Sequence, residues 1–192
     1  MACYSKSVDS PIGRLKLVAT EHTLVGILWE VDRPNRVRLG ELLAAQANPA
    51  IDAAEQQLAE YFAGQRERFE LQLAFQGTEF QKKVWAALLT ILFGETRTYS
   101  EIARQIGHPT AIRAVGAANG RNPIAIVAPC HRVIGASGAL TGFAGGLANK
   151  HLLLRIERGE DPALMQAVQN TVPTNRTRWP AGPRLQGRLF DD

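Results

Sequence analysis

Cysteine is nearly absent from this chain: its 192 residues hold two, Cys3 and Cys130. A disulfide framework is excluded on that count, and two thiols cannot make a cysteine-rich zinc site. Long apolar runs are missing too. Nothing approaches the roughly 18 consecutive apolar residues of a membrane span, so no membrane association is expected. The opening MACYSKSVDSPIG lacks the apolar core of a signal peptide, which makes the cytoplasm the expected compartment. The glycine-rich stretch 135–146, GASGALTGFAGG, lacks the Lys-Ser/Thr ending of a phosphate loop, which argues against nucleotide binding.

What is present is enough chain to bury a core, as one domain or two small ones. The net charge of +4 is unevenly spread. Residues 97–158 carry eight Lys/Arg against two acids, whereas residues 1–75 carry eight against ten. The basic half fits either a polyanion-facing surface or a merely solvated face. Residues 4–31 read as two or three strands, with Arg14-Leu15-Lys16-Leu17-Val18 alternating after the turn Ser10-Pro11-Ile12-Gly13, and a hairpin to Leu24–Trp29. Residues 36–46 can form a helix. Ile51, Ala54, Leu58, Tyr61 and Phe62 recur at helical spacing up to Gly64. Phe69, Leu71, Leu73 and Phe75 alternate like one more strand.

Beyond the linker Gln76-Gly77, Thr78 and Gln81 have the spacing of a capping box. Phe80, Val84, Leu88 and Ile91 line one side of the helix that follows, which Gly94 stops. Two short helices, 102–106 and 111–119, flank Gly107-His108-Pro109-Thr110 in a helix-turn-helix pattern that is common outside DNA-binding proteins as well. In the second, Ile112 and Val115 can face the core, while Ala114, Gly116, Ala117 and Ala118 leave the rest almost bare. A helix that reads base edges carries long polar side chains; this one has little beyond Arg113 and Asn119. It fits either tight packing or a backbone laid close against a groove. A last helix is expected over 147–158, with Leu147, His151 and Leu154 on one side and Gly159 at its end.

The most informative stretch is 124–134, IAIVAPCHRVI. An apolar run that reads as a buried strand stops on Pro129 and presents Cys130, His131 and Arg132. A cysteine reacts as its thiolate, which a nearby base or positive charge makes available. Neighbours on an extended segment point to opposite sides, so a Cys130–His131 partnership needs a turn or a bridging water; Pro129 supplies a reason for a turn. A buried structural cysteine beside a surface histidine is the bland alternative. The setting, with Asn122-Pro123 before and a glycine-rich loop after, favours a reactive thiol. A histidine base is normally oriented by a third group. Glu101 and Glu157 are the only acids over 97–158, and Glu157 qualifies if the last helix packs behind the loop. Cys3, near the terminus, receives no role.

Taken together, RAVGAANGRNPIAIVAPCHRVIGASGALTGFAGG strongly resembles the signature of the O6-alkylguanine-DNA alkyltransferases, over roughly 78–159. The resemblance extends more loosely over 1–77, through SPIGRLKLVAT and LAEYFAGQ, and is to the constitutive bacterial type. It implies an α/β amino-terminal subdomain, 1–77, with a small, mostly antiparallel, ribonuclease H-like sheet. A mainly α subdomain, 78–162, would carry a helix-turn-helix or winged-helix-like DNA-binding unit, and 163–192 would be a mostly irregular tail.

The implied activity is direct, single-turnover transfer of the alkyl group from O6-alkylguanine, and from O4-alkylthymine, in double-stranded DNA, after nucleotide flipping from the minor-groove side. No cofactor and no metal are implied, and the protein would act as a monomer that can cluster on DNA. Cys130 would accept the alkyl group, His131 take its proton through a water, Glu157 polarise His131, Asn122 brace the turn, and Tyr99 help rotate the nucleotide and assist the leaving group. Arg113 would fill the gap in the base stack. Ala114, Ala117, Ala118 and Asn119 would lie along the groove, with Arg121 and Arg132 on phosphates. Val133, Phe143, Ala144 and Gly145 would border the base pocket. Phe143 stands where the family usually has Tyr, and Ala144 where some relatives have Ser, which touches substrate range. Ile91-Leu92-Phe93-Gly94 replaces the usual Ile-Pro-Cys-Gly. The rival readings are a lesion-binding module without transfer, which would lack the acceptor cysteine, and a Cys-His acyl-transfer enzyme, which leaves the Arg113 helix unexplained. The tail's Gln186, Leu189 and Phe190 resemble a short peptide that docks on the replication sliding clamp.

Overall fold

The structure, a computed structural model, describes residues 2–160 other than 31 and 34. The tail residues Gln186, Leu189 and Phe190 lie outside the described residues. The amino-terminal half is a four-stranded sheet of β1 (Cys3–Val8), β2 (Leu15–Ala19), β3 (Leu24–Trp29) and β4 (Leu42–Ala44), in the order β3-β2-β1-β4. The first three strands form an antiparallel meander, and β4 joins the edge in parallel with β1. The helix allowed over 36–46 is absent: Gly40 sits at φ 72°, which a right-handed helix does not accommodate, and Leu42–Ala44 pair with Cys3, Tyr4 and Ser5 instead. Cys3, near the terminus, is buried in β1 with Val18, Val25 and Leu39.

Helix α1 (Pro49–Phe62) crosses the sheet. Asn48 caps it by accepting from Ile51 N, and Ile51, Ala54, Leu58, Tyr61 and Phe62 are its buried stripe. Over 69–75 the alternating apolar residues pack on that core, but pairing is limited to one bridge, Leu24 with Leu73. Periodicity there reported the buried side and not a ladder.

The second half opens with α2 (Glu79–Leu88), whose capping box of Thr78 and Gln81 is formed. The short strand β5 (Arg97–Thr98) leads into α3 (Tyr99–Gln105), and α4 (Ile112–Gly120) follows. Val84, Trp85, Leu88, Ile102 and Val115 make the core among these helices. Ile112 does not join it; at 43% exposure it faces outward, one turn from the buried Val115. A 3-10 turn, Cys130–Arg132, runs into β6 (Val133–Ile134), which pairs with β5, and α5 (Leu147–Glu157) closes the described fold. Its inward stripe is Lys150, Leu153, Leu154 and Glu157; of the three residues expected on one side, Leu154 is buried and Leu147 and His151 are exposed.

The two halves share a core. Ile124, Ala125, Ile126 and Val127 pack under the amino-terminal sheet with Leu15, Leu17 and Ile27. Ile27 N donates to Pro123 O (2.9 Å) and Ala125 N to Ile27 O (3.3 Å). The apolar flank of Cys130 is therefore the joint of the molecule, and it is built as a tight turn, not as the strand its composition suggests. No helix among the described residues is long and apolar enough to cross a membrane.

Candidate active site

The turn that presents Cys130 contains two three-residue bends. Val127 N donates to Ala125 O (2.8 Å) across Ile126, which takes φ 71°. Cys130 N donates to Ala128 O (2.8 Å) across Pro129 at φ −80°, ψ 68°. The second is the common inverse γ-turn; the first puts a β-branched residue in the left-handed region, an arrangement that costs of order 1–3 kcal/mol and persists only where its surroundings fix it. Here they do. Ile126 is buried, Asn122 Oδ1 accepts from Ile124 N (3.1 Å), and Asn122 Nδ2 donates to Ala128 O (2.7 Å). From outside, Arg36 donates to Asn122 O (2.8 Å) and Gly120 O (3.3 Å) while Asp32 holds the guanidinium. Asn119 Nδ2 reaches Cys130 O (3.3 Å).

Behind the turn lies a buried ionic cluster. The Glu157 carboxylate accepts five hydrogen bonds: from His131 Nε2 (2.7 Å), Tyr61 OH (2.7 Å), Arg132 Nε (2.9 Å) and Nη2 (3.0 Å), and Gly94 N (3.1 Å). Arg132 also donates to Ile91 O (2.6 Å) and lies over the Phe93 ring. Burial would raise the Glu157 pKa, but His131 and Arg132 outweigh it and hold the group at about 2. Burial lowers the His131 pKa more than Glu157 raises it. The imidazole is neutral at neutral pH, so it gives Glu157 an N–H while Arg132 gives the charge. With Nε2 donating, Nδ1 carries the lone pair, and it has no partner among the described residues. Burial raises the Tyr61 pKa, helped by Glu157, which keeps its hydroxyl a donor.

Cys130 is 4% exposed. Burial raises its pKa; Asn122 and the positive charges of Arg36 and Lys150 oppose this in part. The thiol therefore does not ionise unaided at neutral pH and needs a base, and His131 Nδ1 has the right form. Lys150, buried on α5, donates to Val133 O (2.5 Å) and Thr141 O (2.8 Å), tying β6 to the glycine-rich loop; burial lowers its pKa to about 8.

A pH dependence follows. Because His131 titrates below the ordinary histidine value of about 6.5, Cys130 reactivity should stay level from neutral pH down through that value and fall only beneath it. In His131→Gln it should instead climb with pH as the thiol itself ionises, above its usual value of about 8.5. Rates of thiol alkylation across pH check this; identical profiles for the two proteins would contradict it.

Among the other expected residues, Tyr99 opens α3 and its hydroxyl donates to Thr141 O (3.2 Å). Arg113, Ala114, Ala117 and Arg121 share an exposed surface on and just after α4. Ala118, Asn119 and Arg132 do not reach it: all three are buried, Ala118 O accepting from Trp85 Nε1 (2.9 Å) and Arg132 committed to Glu157. Helix phase turns the first two inward, and the carboxylate claims the third, so their expected DNA contacts are withdrawn. Val133 is buried, and Phe143, Ala144 and Gly145 are half-buried, with the Phe143 ring 6.4 Å from that of His131. The sequence reading missed Lys150, Tyr61 and Arg36. Lys150 had a signal, since it precedes Leu153, Leu154 and Glu157 at helical spacing.

The family model described as the 6-O-methylguanine DNA methyltransferase DNA-binding domain matches residues 79–159, and that of the same family's ribonuclease-like domain matches 3–75. A methylated-DNA–protein-cysteine methyltransferase of Mycolicibacterium paratuberculosis is 52% identical over 161 residues, 82% of this chain and 94% of that protein. One of Methanosarcina acetivorans is 62% identical over 159 residues, 80% of this chain and 97% of that one. The crystal structure of Mycobacterium tuberculosis OGT in complex with DNA superposes with a TM-score of 0.76 at 46% identity, covering 84% of this chain and 97% of that one.

Proposed function

The chain belongs to the 6-O-methylguanine DNA methyltransferase family, and from that premise we propose how its residues carry out methylated-DNA–protein-cysteine S-methyl transfer, a DNA repair reaction. Cys130 is the acceptor. His131 Nδ1 takes the thiol proton through a bridging water, and the sulfur attacks the alkyl carbon on guanine O6. A C–S bond forms, the C–O bond breaks, and its electron pair stays on the guanine, which regains a proton to leave neutral. The Tyr99 hydroxyl, which reaches Thr141 O on the glycine-rich loop, would supply that proton. The thioether is stable, so each molecule acts once. The arrangement that carries the reading is Cys130 on a braced turn and, next in the chain, a buried imidazole fixed through Nε2 by Glu157 and without a partner at Nδ1 among the described residues.

A base inside the duplex is out of reach of a buried thiol, so the nucleotide must be flipped, at a cost of a few kcal/mol. The bare face of α4, with Arg113 between Ile112 and Ala114, suits a minor groove, and Arg113 would occupy the space the base vacates. Arg113→Ala should slow transfer from duplex by roughly tenfold or more, the kinetic equivalent of 1–2 kcal/mol of lost flipping energy. Reaction with the free base should be unaffected. Equal slowing on both substrates would contradict the assignment. The same pocket would admit O4-alkylthymine.

The function itself is tested by stoichiometry. Excess duplex containing O6-methylguanine should lose one methyl group per protein molecule and no more, however long the incubation. Continued turnover would overturn the reading, as would binding with no transfer.

A further inference from the structure

One contact couples the amino-terminal sheet to the loop that borders the proposed base pocket. Trp29, at the end of β3, is 8% exposed. Its ring meets Phe143 edge to face at 5.1 Å, and Phe143 in turn meets His131. Gly145 lies flat against the indole: a Cβ on Gly145 would sit 2.3 Å from Cε2 and 2.4 Å from Cζ2. That glycine has no positive φ, so its need for a missing side chain comes from Trp29 and not from backbone conformation. A second tie holds the same segment, since Asn149 Nδ2 donates to both Ile12 O and Gly145 O (2.9 Å each). The indole Nε1 has no partner among the described residues. What Trp29 supplies is volume.

We propose that Trp29 is a specificity-determining positioning residue: by filling the space behind Phe143–Gly145 it sets how far that loop can retreat, and so how large an O6 substituent the pocket accepts. The proposal rests on the alkyl-transfer reading above. It places a determinant of substrate size in the amino-terminal half, outside the stretch that carries Cys130. Packed interiors do not deform freely, so a large ring behind a loop holds it in place, and removing the ring lets it move back.

The test uses two duplexes, one with O6-methylguanine and one with O6-benzylguanine, and reads the ratio of their transfer rates. In Trp29→Ala the benzyl-to-methyl ratio should rise roughly tenfold, the scale on which hydrophobic pockets resolve small differences in size. Trp29→Phe, which keeps a ring, should stay near the wild-type ratio; Trp29→Leu serves if the alanine variant does not fold. Gly145→Ala should lower the ratio by pushing the loop inward, and adding Trp29→Ala to it should restore the ratio, because the clash partner is gone. A ratio constant across all variants, with only the absolute rates falling, would reduce Trp29 to a structural role and overturn the proposal. So would a double variant as restricted as Gly145→Ala. Failure of the wild-type protein to accept methyl at all would instead overturn the reading beneath it.

Discussion

Cys130→Ser is expected to abolish alkyl transfer, by at least about 10⁴-fold, while the duplex still binds. The two halves of that result have separate causes. A serine hydroxyl is a far weaker acid than a thiol, so the same His131 cannot generate the nucleophile. The DNA surface proposed above is Arg113, Ala114, Ala117 and Arg121, all exposed, whereas the Cys130 side chain is 4% exposed and adds almost nothing to it. Affinity for a methylated duplex should stay within a few-fold of wild type. The exchange is nearly isosteric, and its structural cost is that of burying a hydroxyl, about 1–3 kcal/mol. Titration of labelled duplex beside a transfer assay checks both parts. Loss of binding in step with transfer would mean the turn had collapsed.

The second large effect is on Glu157. Its carboxylate neutralises a buried guanidinium, holds the His131 imidazole and satisfies the Tyr61 hydroxyl. Glu157→Ala leaves Arg132 charged and unpaired in the interior, a change that typically costs about 3–5 kcal/mol. For a chain of this size that corresponds to a fall in Tm of about 10 °C or more. Transfer should fail with it, because His131 loses both its tautomer and its position.

Acid should mimic the substitution. Glu157 is held at about 2, below its ordinary value of 4.5, so the folded state binds fewer protons than the unfolded state between those values. The stability it contributes is complete above pH 4.5 and is lost as pH falls toward 2. His131, also lowered, acts in the same direction from about pH 6.5 downward, because folding disfavours its charged form. Melting curves from pH 7 to pH 3 should show the wild type losing stability steeply and Glu157→Gln starting lower and falling less. Parallel curves would contradict the role given to this carboxylate.

Much of this site was legible in the sequence because its residues are chemically conspicuous. Cys130 stands almost alone as a thiol, and Glu157 is one of two acids over 97–158. Asn122 precedes a proline, a common place for a turn-bracing side chain. The fold was legible where periodicity and caps agree, as in α1 and α2. Elsewhere pattern and geometry part. A short apolar run such as 124–128 reads as a strand, and nothing in composition shows that Ile126 takes a positive φ; only the surrounding hydrogen bonds impose it. Arg132 reads as a phosphate contact because buried arginine is rare, and its partner lies 25 residues away in the chain. Lys150 was hidden by a phase choice on α5. Leu147, 50% exposed, drew the expected stripe to one side of the buried one; it shares only Leu154 with the true stripe, where the charged residues Lys150 and Glu157 lie with Leu153.

The central claim is that the sulfur of Cys130, made nucleophilic by His131, becomes the permanent home of the alkyl group. Peptide mapping of the protein by mass spectrometry after reaction with an O6-methylguanine duplex tests it most directly. The expected product carries one methyl group, on the peptide containing Cys130, with Cys3 unmodified. A methyl group found on any other residue, or a fully repaired duplex beside an unmodified protein, would contradict the account.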